Sequence, residues 1–447
     1  MSFANDTART IIVRISLLSV SLVSGIINAR WLGPEGVGVY SLLVLVSHFS
    51  FQFCNLGFGS AFAFFMGSKK ASFQELRRLL WYLASALSAI ACLIILCLWK
   101  ISVSPWNDIG AGFFLLAVLG VPMMFFRNFM TRLLSGQLRI KVMNISEAIY
   151  SISNVLFLVA LVVALRLGIL GAIVSFLLAS SVANFYLWSK VGRTSCEPNA
   201  QNDTVPWRAR ISDLWSYGRW NYLIMLCRFL LQHMPTLVLK YFFSNMAIGL
   251  FAVAQSLTGR LFIITNSFSE MLFPYTAASD DGSAVRRTNM LCRSFLILTV
   301  VFAALVGLLA RYVIPLLYGE GFEESVQVIY TLLPTIVFAP PSKLLNIHIA
   351  ARGDSKLSLL AILPGLAIGI AICMTMIPRY AAVGAGLSVS ATYGALFLTA
   401  TMVHSRITDS RLSEILLFNA GDWRVLRNLM GTQWLRRSGV GSLGKSN

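Results

Sequence analysis

Acidic residues are scarce in this chain. It has 18 Asp and Glu in 447 residues, against 36 Lys and Arg, and charged residues of both signs together make up only 12%. Soluble globular proteins carry about a quarter, so a water-soluble chain is excluded. Histidine is rarer still, at 4, and the 7 cysteines include no C-x-x-C pair. Only Cys196 lies outside an apolar segment, so neither a disulfide framework nor a metal site is expected. H-E-x-x-H, G-x-S-x-G and clustered Cys and His are also missing. Hydrolytic or metal-assisted chemistry therefore has no visible residues, and neither an enzyme nor a cofactor is expected. No small-residue cleavage site follows the first apolar run, which Arg14 interrupts, so that run reads as a retained helix and not a removable signal peptide.

What is present is apolar: 57% hydrophobic residues and a mean hydropathy of +0.74. A membrane-crossing helix needs about 20 apolar residues. Twelve such spans can be read, at 10–29, 39–65, 79–99, 111–131, 145–165, 169–189, 219–239, 248–276, 293–316, 326–350, 357–377 and 382–404. The fold class is therefore an all-α polytopic membrane protein.

The formal charge of +18 raises the question of nucleic acid, but its placement answers it. Alternate connections carry 25 basic residues on one side, among them Lys69, Lys70, Arg77, Arg78, Arg139 and Lys141, against only Arg30, Lys100, Arg166, Lys240, Arg311 and Arg379 on the other. Basic residues stay on the cytoplasmic side, so both termini are expected there, in a plasma (inner) membrane, and no nucleic-acid partner is implied. Arg436, Arg437 and Lys445 in the tail are expected near anionic membrane lipids.

A polar linker, Cys196-Glu-Pro-Asn-Ala-Gln-Asn-Asp-Thr-Val-Pro206, divides the spans into two sets of six. The expected domains are 1–205, 206–405 and a basic tail, 406–447. The halves resemble each other: Arg30-Trp31-Leu32-Gly33 leading to Val37-Gly38-Val39-Tyr40 aligns, at an offset of 211, with Tyr241-Phe242-Phe243-Ser244 leading to Ile248-Gly249-Leu250-Phe251. Leu165-Arg166 leading to Gly171 aligns likewise with Pro378-Arg379 leading to Gly384, at an offset of 213. Parallel repeats of this kind build a central cavity in transporters.

Gly439-Val-Gly-Ser-Leu-Gly444-Lys445-Ser446 satisfies the phosphate-loop pattern G-x-x-x-x-G-K-[ST]. That pattern works only between a strand and a helix whose N-terminus meets the phosphates, and one residue follows it here. It is read as a chance match.

Polar residues recur at helical spacing in four spans. The first holds Arg14, Ser21, Gly25 and Asn28; the second Ser41, His48, Gln52 and Asn55; the seventh Asn221, Arg228 and Gln232 with His233 adjacent; the eighth Ser256, Arg260, Ser267 and Glu270. Small and polar members also serve as glue between helices. Ionisable residues inside a span are costly and point to function. Arg228 lies about 13 Å along the axis from Arg219, too deep to snorkel, and Arg260 is well inside its span. Arg14 and Arg127 lie nearer the cytoplasmic ends, where snorkelling competes with a cavity role. Lys343 follows Pro340-Pro341, which should interrupt the tenth helix. The expected substrate-binding set is Arg14, Arg127, Arg228, Arg260 and Lys343. Glu270, taken as the deep acidic residue, and His233 are the candidates for ion coupling. A cavity rich in arginine favours an anionic ligand, since the guanidinium fork pairs with phosphate and stays charged, and lipid-linked diphosphate sugars fit that description.

Ala29-Arg30-Trp31-Leu32-Gly33-Pro34-Glu35-Gly36-Val37-Gly38-Val39-Tyr40-Ser41 resembles the first-loop signature of bacterial polysaccharide flippases, the O-antigen group within the multidrug/oligosaccharidyl-lipid/polysaccharide exporter superfamily. Ile314-Pro315-Leu316-Leu317-Tyr318-Gly319-Glu320-Gly321-Phe322 resembles that family's other recurring loop. The resemblance implies flipping of an undecaprenyl-diphosphate-linked glycan from the inner to the outer leaflet, driven by an ion gradient, with a polysaccharide polymerase and chain-length machinery as partners. Relatives often carry an acidic residue in the seventh helix, where this chain has His233-Met-Pro. Two rival classes are weaker. A small-molecule drug exporter of the same superfamily would want carboxylates in its cavity, and a membrane-embedded polymerase or ligase would need a long outward loop.

Overall fold

In hydrocarbon every backbone N–H and C=O must be paired within the protein, so apolar runs of this length fold as helices. The computed structural model describes residues 2–101, 110–192, 206–260, 282–351 and 355–416, with residues 2–15 by their backbone only, and contains no strand among them. The helices are α1 (Ser2–Cys54), α2 (Phe58–Gly67), α3 (Phe73–Ile101), α4 (Ala111–Gly136), α5 (Ile140–Leu158), α6 (Gly168–Gly192) and α7 (Trp207–Phe242). Then follow α8 (245–260), α9 (Gly282–Tyr318), α10 (Glu324–Ala351), α11 (Ser355–Thr408) and the short α12 (Leu412–Leu416). A π-helical turn, Val159–Ala164, extends α5.

Among the described residues nine helices are long and apolar enough to cross a membrane. Two of them are too long for one crossing: 39 residues from Ser16 to Cys54 and 50 from Leu359 to Thr408, roughly 58 and 75 Å at 1.5 Å per residue against a hydrocarbon core of about 30 Å. Each is broken once. Gly33 (φ 66°, ψ 177°) breaks α1, in a conformation that only glycine adopts without strain, and Ala381 (φ 46°, ψ −126°) breaks α11. Each therefore supplies two spans. The eighth expected span begins as α8, and its remainder, with Glu270, lies outside the described residues.

Two expectations about helix continuity need correction. The second apolar stretch, 39–65, is not one helix: α1 ends at Cys54, Leu56 (φ 51°) and Gly57 (φ 80°) turn left-handed, and α2 restarts at Phe58. Conversely, Pro340 and Pro341 do not interrupt α10, which runs through them. The carbonyl that Pro341 cannot pair, that of Val337, lies 3.3 Å from Thr299 Oγ1 of α9, a hydroxyl that is also 2.8 Å from the Phe295 carbonyl of its own helix.

Packing sorts the helices into two bundles. Helix α1 packs on α3, α4, α5 and α6, and α4 on α2, α3 and α6; separately, α11 packs on α7 and α10, and α10 on α9. The bundles meet through α1 with α7 and α9 and through α2 with α7. The main apolar core runs across this junction, joining Val37, Leu42 and Val46 to Leu239, Phe251, Tyr318 and Phe322. At one end, Arg30 Nε donates to the Leu317 carbonyl at 2.9 Å and its Nη2 to that of Leu316 at 2.5 Å, capping α9. At the other, Arg210 at the start of α7 donates to Glu75 of α3 through Nε at 2.7 Å and Nη2 at 3.4 Å.

A candidate anion-binding cavity

A cavity of about 340 Å³ opens among α7, α8, α10 and α11. Helix α7 supplies Arg228 and, one turn on, Gln232; α10 supplies Lys343 and, on the same face, Asn346; α8 supplies Gln255 and α11 Tyr393. Gln255 Nε2 donates to the Gln232 carbonyl at 2.8 Å, tying α8 to α7 at the cavity edge. Apolar residues such as Leu231, Leu332, Ile362 and Leu396 complete the wall. Among the described residues the lining includes two cations and no acidic residue. A half-buried guanidinium and ammonium among amides and hydroxyls, with low-dielectric walls, focus a positive field on whatever enters. Such an arrangement suits recognition of an anion. A second depression, about 370 Å³ between α3, α4 and α6, is lined by Trp81, Phe126, Phe185 and Trp188 with no charged residue, and offers no such field.

The expected site residues do not all share this cavity. Arg228 and Lys343 do. Arg260 points elsewhere: Nη2 donates to the Ser21 carbonyl of α1 at 2.9 Å, Nη1 lies 3.5 Å from the Tyr318 hydroxyl, and the group packs against Gly25. The polar stripes of the first and eighth spans therefore meet, with Arg260 as the bridge between the bundles. Arg127 Nη2 donates to Glu147 Oε2 at 2.6 Å, and the guanidinium lies 4.1 Å from the centre of the Tyr150 ring. His233 stacks on Phe229 at 4.5 Å, and Phe229 in turn meets Phe49 of α1. His48 is bonded through Nδ1 to its own helix, at the Val44 carbonyl, and His348 stacks edge-on to His404, whose Nε2 meets Asn289 Oδ1 at 2.9 Å. The Arg14 side chain, Glu270 and the Gly439–Ser446 segment lie outside the described residues.

Sequence reasoning missed Glu147, which sits within α5 because that helix begins at Ile140. It also missed Gln255, Asn346 and Tyr393 as lining residues. Asn346 stands three residues beyond Lys343, a spacing that places both on one helix face; the other two carried no comparable signal.

The fold is that of multidrug/oligosaccharidyl-lipid/polysaccharide transporters. It resembles the lipid II flippase MurJ in an inward closed conformation (TM-score 0.69, 12% identity, covering 94% of this chain and 91% of that one). It also resembles a multidrug resistance MATE family transporter of the MOP superfamily in its inward-facing conformation (0.67, 16%, 89% and 98%) and a point mutant of the Vibrio cholerae MATE transporter VcmN (0.61, 15%, 92% and 98%). The chain belongs to the polysaccharide biosynthesis protein family, which it matches over residues 27–327, a stretch that contains both loop motifs. No curated protein sequence matches it.

Proposed function

We propose that this protein is a flippase that carries a polyprenyl-diphosphate-linked oligosaccharide from the inner to the outer leaflet of a bacterial plasma membrane. The observation that carries this reading is the cavity with Arg228 and Lys343 in its wall and no acidic residue among its described lining residues. A diphosphate supplies the negative charge and the planar oxygen pairs that a guanidinium binds best, and amides such as Gln232, Gln255 and Asn346 suit sugar hydroxyls. Family membership in polysaccharide biosynthesis supports a glycan cargo. The two bundles are read as halves that rock about the central space, so the head group crosses inside while the lipid tail stays in the bilayer. Basic connections on one side support cytoplasmic termini. Arg260, bridging the bundles, is read as an element of the closed junction more than as a substrate ligand.

Deletion of the gene, followed by analysis of the lipid-linked pool on each leaflet, tests the reading. Complete units should accumulate on the inner leaflet with no surface polymer. Complementation with Arg228→Ala or Lys343→Ala should fail despite normal insertion, whereas Lys445→Ala should restore export. Single units that reach the outer leaflet but stay unpolymerised would point to a polymerase, and an unchanged pool to small-molecule export.

A further inference from the structure

The wall of the Arg228 cavity divides by the sense of its hydrogen bonds. Its charged members, Arg228 and Lys343, can only donate. Most of its neutral polar groups have their donors committed elsewhere. Gln255 Nε2 donates to the Gln232 carbonyl at 2.8 Å, and Asn346 Nδ2 to the Ser342 carbonyl at 2.9 Å. Thr258 Oγ1 donates to the Ala254 carbonyl at 2.9 Å and Ser342 Oγ to that of Ala339 at 2.8 Å. Thr335 Oγ1 lies 2.9 Å from Ser390 Oγ, whose own proton goes to the Thr331 carbonyl, so Thr335 is the donor of that pair. What these groups keep is acceptor capacity, in amide oxygens and hydroxyl lone pairs. Gln232 is exposed and can turn either end of its amide inward. Asn346 is the sharpest case: it is 6% exposed, its amide is pinned through Nδ2, and its buried Oδ1 meets no donor among the described residues. A buried acceptor left without a donor is costly. Phosphate oxygens, being acceptors themselves, cannot relieve it. Since Asn346 lines the cavity, the side from which a donor can come is the cavity's.

Lys343 and Asn346 stand three residues apart on one face of α10, about 4.5 Å along its axis. A ligand whose phosphate meets Lys343 therefore presents its adjoining group to Asn346. On a glycosyl diphosphate that group is the first sugar, and its nearest donor is the hydroxyl or amide N–H on the carbon next to the anomeric one. We infer that this cavity reads the first sugar of the cargo: Arg228 and Lys343 hold the diphosphate, and Asn346 Oδ1 accepts from that neighbouring donor. The ligand class is a glycosyl diphosphate whose first sugar keeps the donor unblocked. A bare lipid diphosphate, or a first sugar deoxygenated or O-methylated at that carbon, leaves the acceptor unmet and binds more weakly. The inference rests on the reading of the cargo as a lipid diphosphate sugar, and adds to it what tells a loaded carrier from an empty one. No bond is made or broken.

The test uses the purified full-length protein in nanodiscs with farnesyl diphosphate, its glucosyl ester, its 2-deoxyglucosyl ester and uridine diphosphate glucose as probes. The wild type should bind the glucosyl ester about three- to tenfold more tightly than the 2-deoxyglucosyl ester, the scale of one neutral hydrogen bond. Asn346→Leu should erase that preference. Asn346→Asp, which keeps an acceptor but sets a negative charge beside the diphosphate, should weaken every probe and retain the preference. Arg228→Ala should weaken the three farnesyl probes by a common factor. A purely structural Asn346 predicts instead that Asn346→Leu weakens the glucosyl and 2-deoxyglucosyl esters equally, and that result would overturn the inference. So would equal binding of the two esters by the wild type, a comparison that needs no variant to fold; it would leave the flippase reading standing. Failure of the wild type to bind any farnesyl probe, whether or not it binds uridine diphosphate glucose, would overturn both.

Discussion

Gly38 and Gly249 cross back to back. A methyl group on Gly38 would overlap the Asn245 carbonyl oxygen and lie 3.1 Å from the Gly249 nitrogen; one on Gly249 would overlap the Pro34 carbonyl oxygen and lie 3.0 Å from the Gly38 nitrogen. These are the residues that the internal alignment pairs at an offset of 211. Equivalent positions that meet each other by the same contact are what a two-fold axis between the bundles produces, and the contact supports the repeat.

Backbone stands on both sides of this crossing, so nothing can rotate away from an added methyl group. Gly38→Ala and Gly249→Ala should each destabilise the protein by at least the 1–3 kcal/mol typical of overpacking, seen as a lowered midpoint in thermal unfolding. Because both act on one junction, the double variant should cost clearly less than the sum. Full additivity would mean that the two glycines serve separate contacts.

The pair of Arg210 and Glu75 holds α7 to α3 with Arg210 almost fully covered. Removing one member of a buried pair costs about 3–5 kcal/mol when the other charge is left without a partner; here Glu75 keeps 26% of its surface and Arg210 retains Asp213 at 4.0 Å, so the cost falls below that range. Glu75→Leu should therefore lower the unfolding midpoint more than Glu75→Leu combined with Arg210→Met, where two apolar side chains fill the space. A double variant less stable than either single one would show that the charges contribute net stability.

The spans could be read from the sequence because hydropathy and length suffice for them, and the loop glycines could be read because Gly33 and Gly38 sit in a recognisable motif. The break at Leu56 and Gly57 carried a local signal, since Asn55 and Gly57 flank Leu56, but it was masked by the apolar residues on either side, Phe51 to Cys54 and Phe58 to Met66, which read as one continuous span. The continuity of α10 was hidden for the opposite reason: a double proline reads as a break, and what the helix packs against on α9, with Thr299 beside the Val337 carbonyl, lies far off in the sequence. Site residues divide along the same line. Arg228 and Lys343 could be picked out as charges inside apolar runs, but that Arg260 would turn to the Ser21 carbonyl, and Arg127 to Glu147, depends on which helices pack together. Residue spacing along one helix does not contain that information.

Arg228 should resist its conservative replacement. A guanidinium presents a planar fork of N–H groups, whereas an ammonium is a point charge on a flexible stem. With hydrogen bonds to charged groups contributing about 1.5–3 kcal/mol, Arg228→Lys should reduce transport roughly tenfold or more while keeping the cavity's charge. Lys343→Arg should be better tolerated, because the new side chain adds donors. Equal activity of Arg228→Lys and wild type would mean that the cavity asks only for positive charge.

Arg30 joins the first-loop motif to the second: its guanidinium donates to the Leu316 and Leu317 carbonyls, which α9 leaves unpaired at its end. In the proposed orientation this contact closes the outer face, together with Gly321 against Pro34. Rocking open to the outside has to break it. The side chain is exposed, so the bonds are worth about 1 kcal/mol, and Arg30→Ala should shift the balance of states roughly fivefold toward the outward-open one. A cysteine placed at Ser342 in the cavity, in a background without the native cysteines, reports the shift through labelling by an impermeant thiol reagent added from outside. Labelling should rise in Arg30→Ala and return to the starting rate in Arg30→Lys, which retains a donor for the same carbonyls. An unchanged rate in both would reduce Arg30 to a cap on α9, leaving the closure of the outer face to the crossing of Gly38 and Gly249.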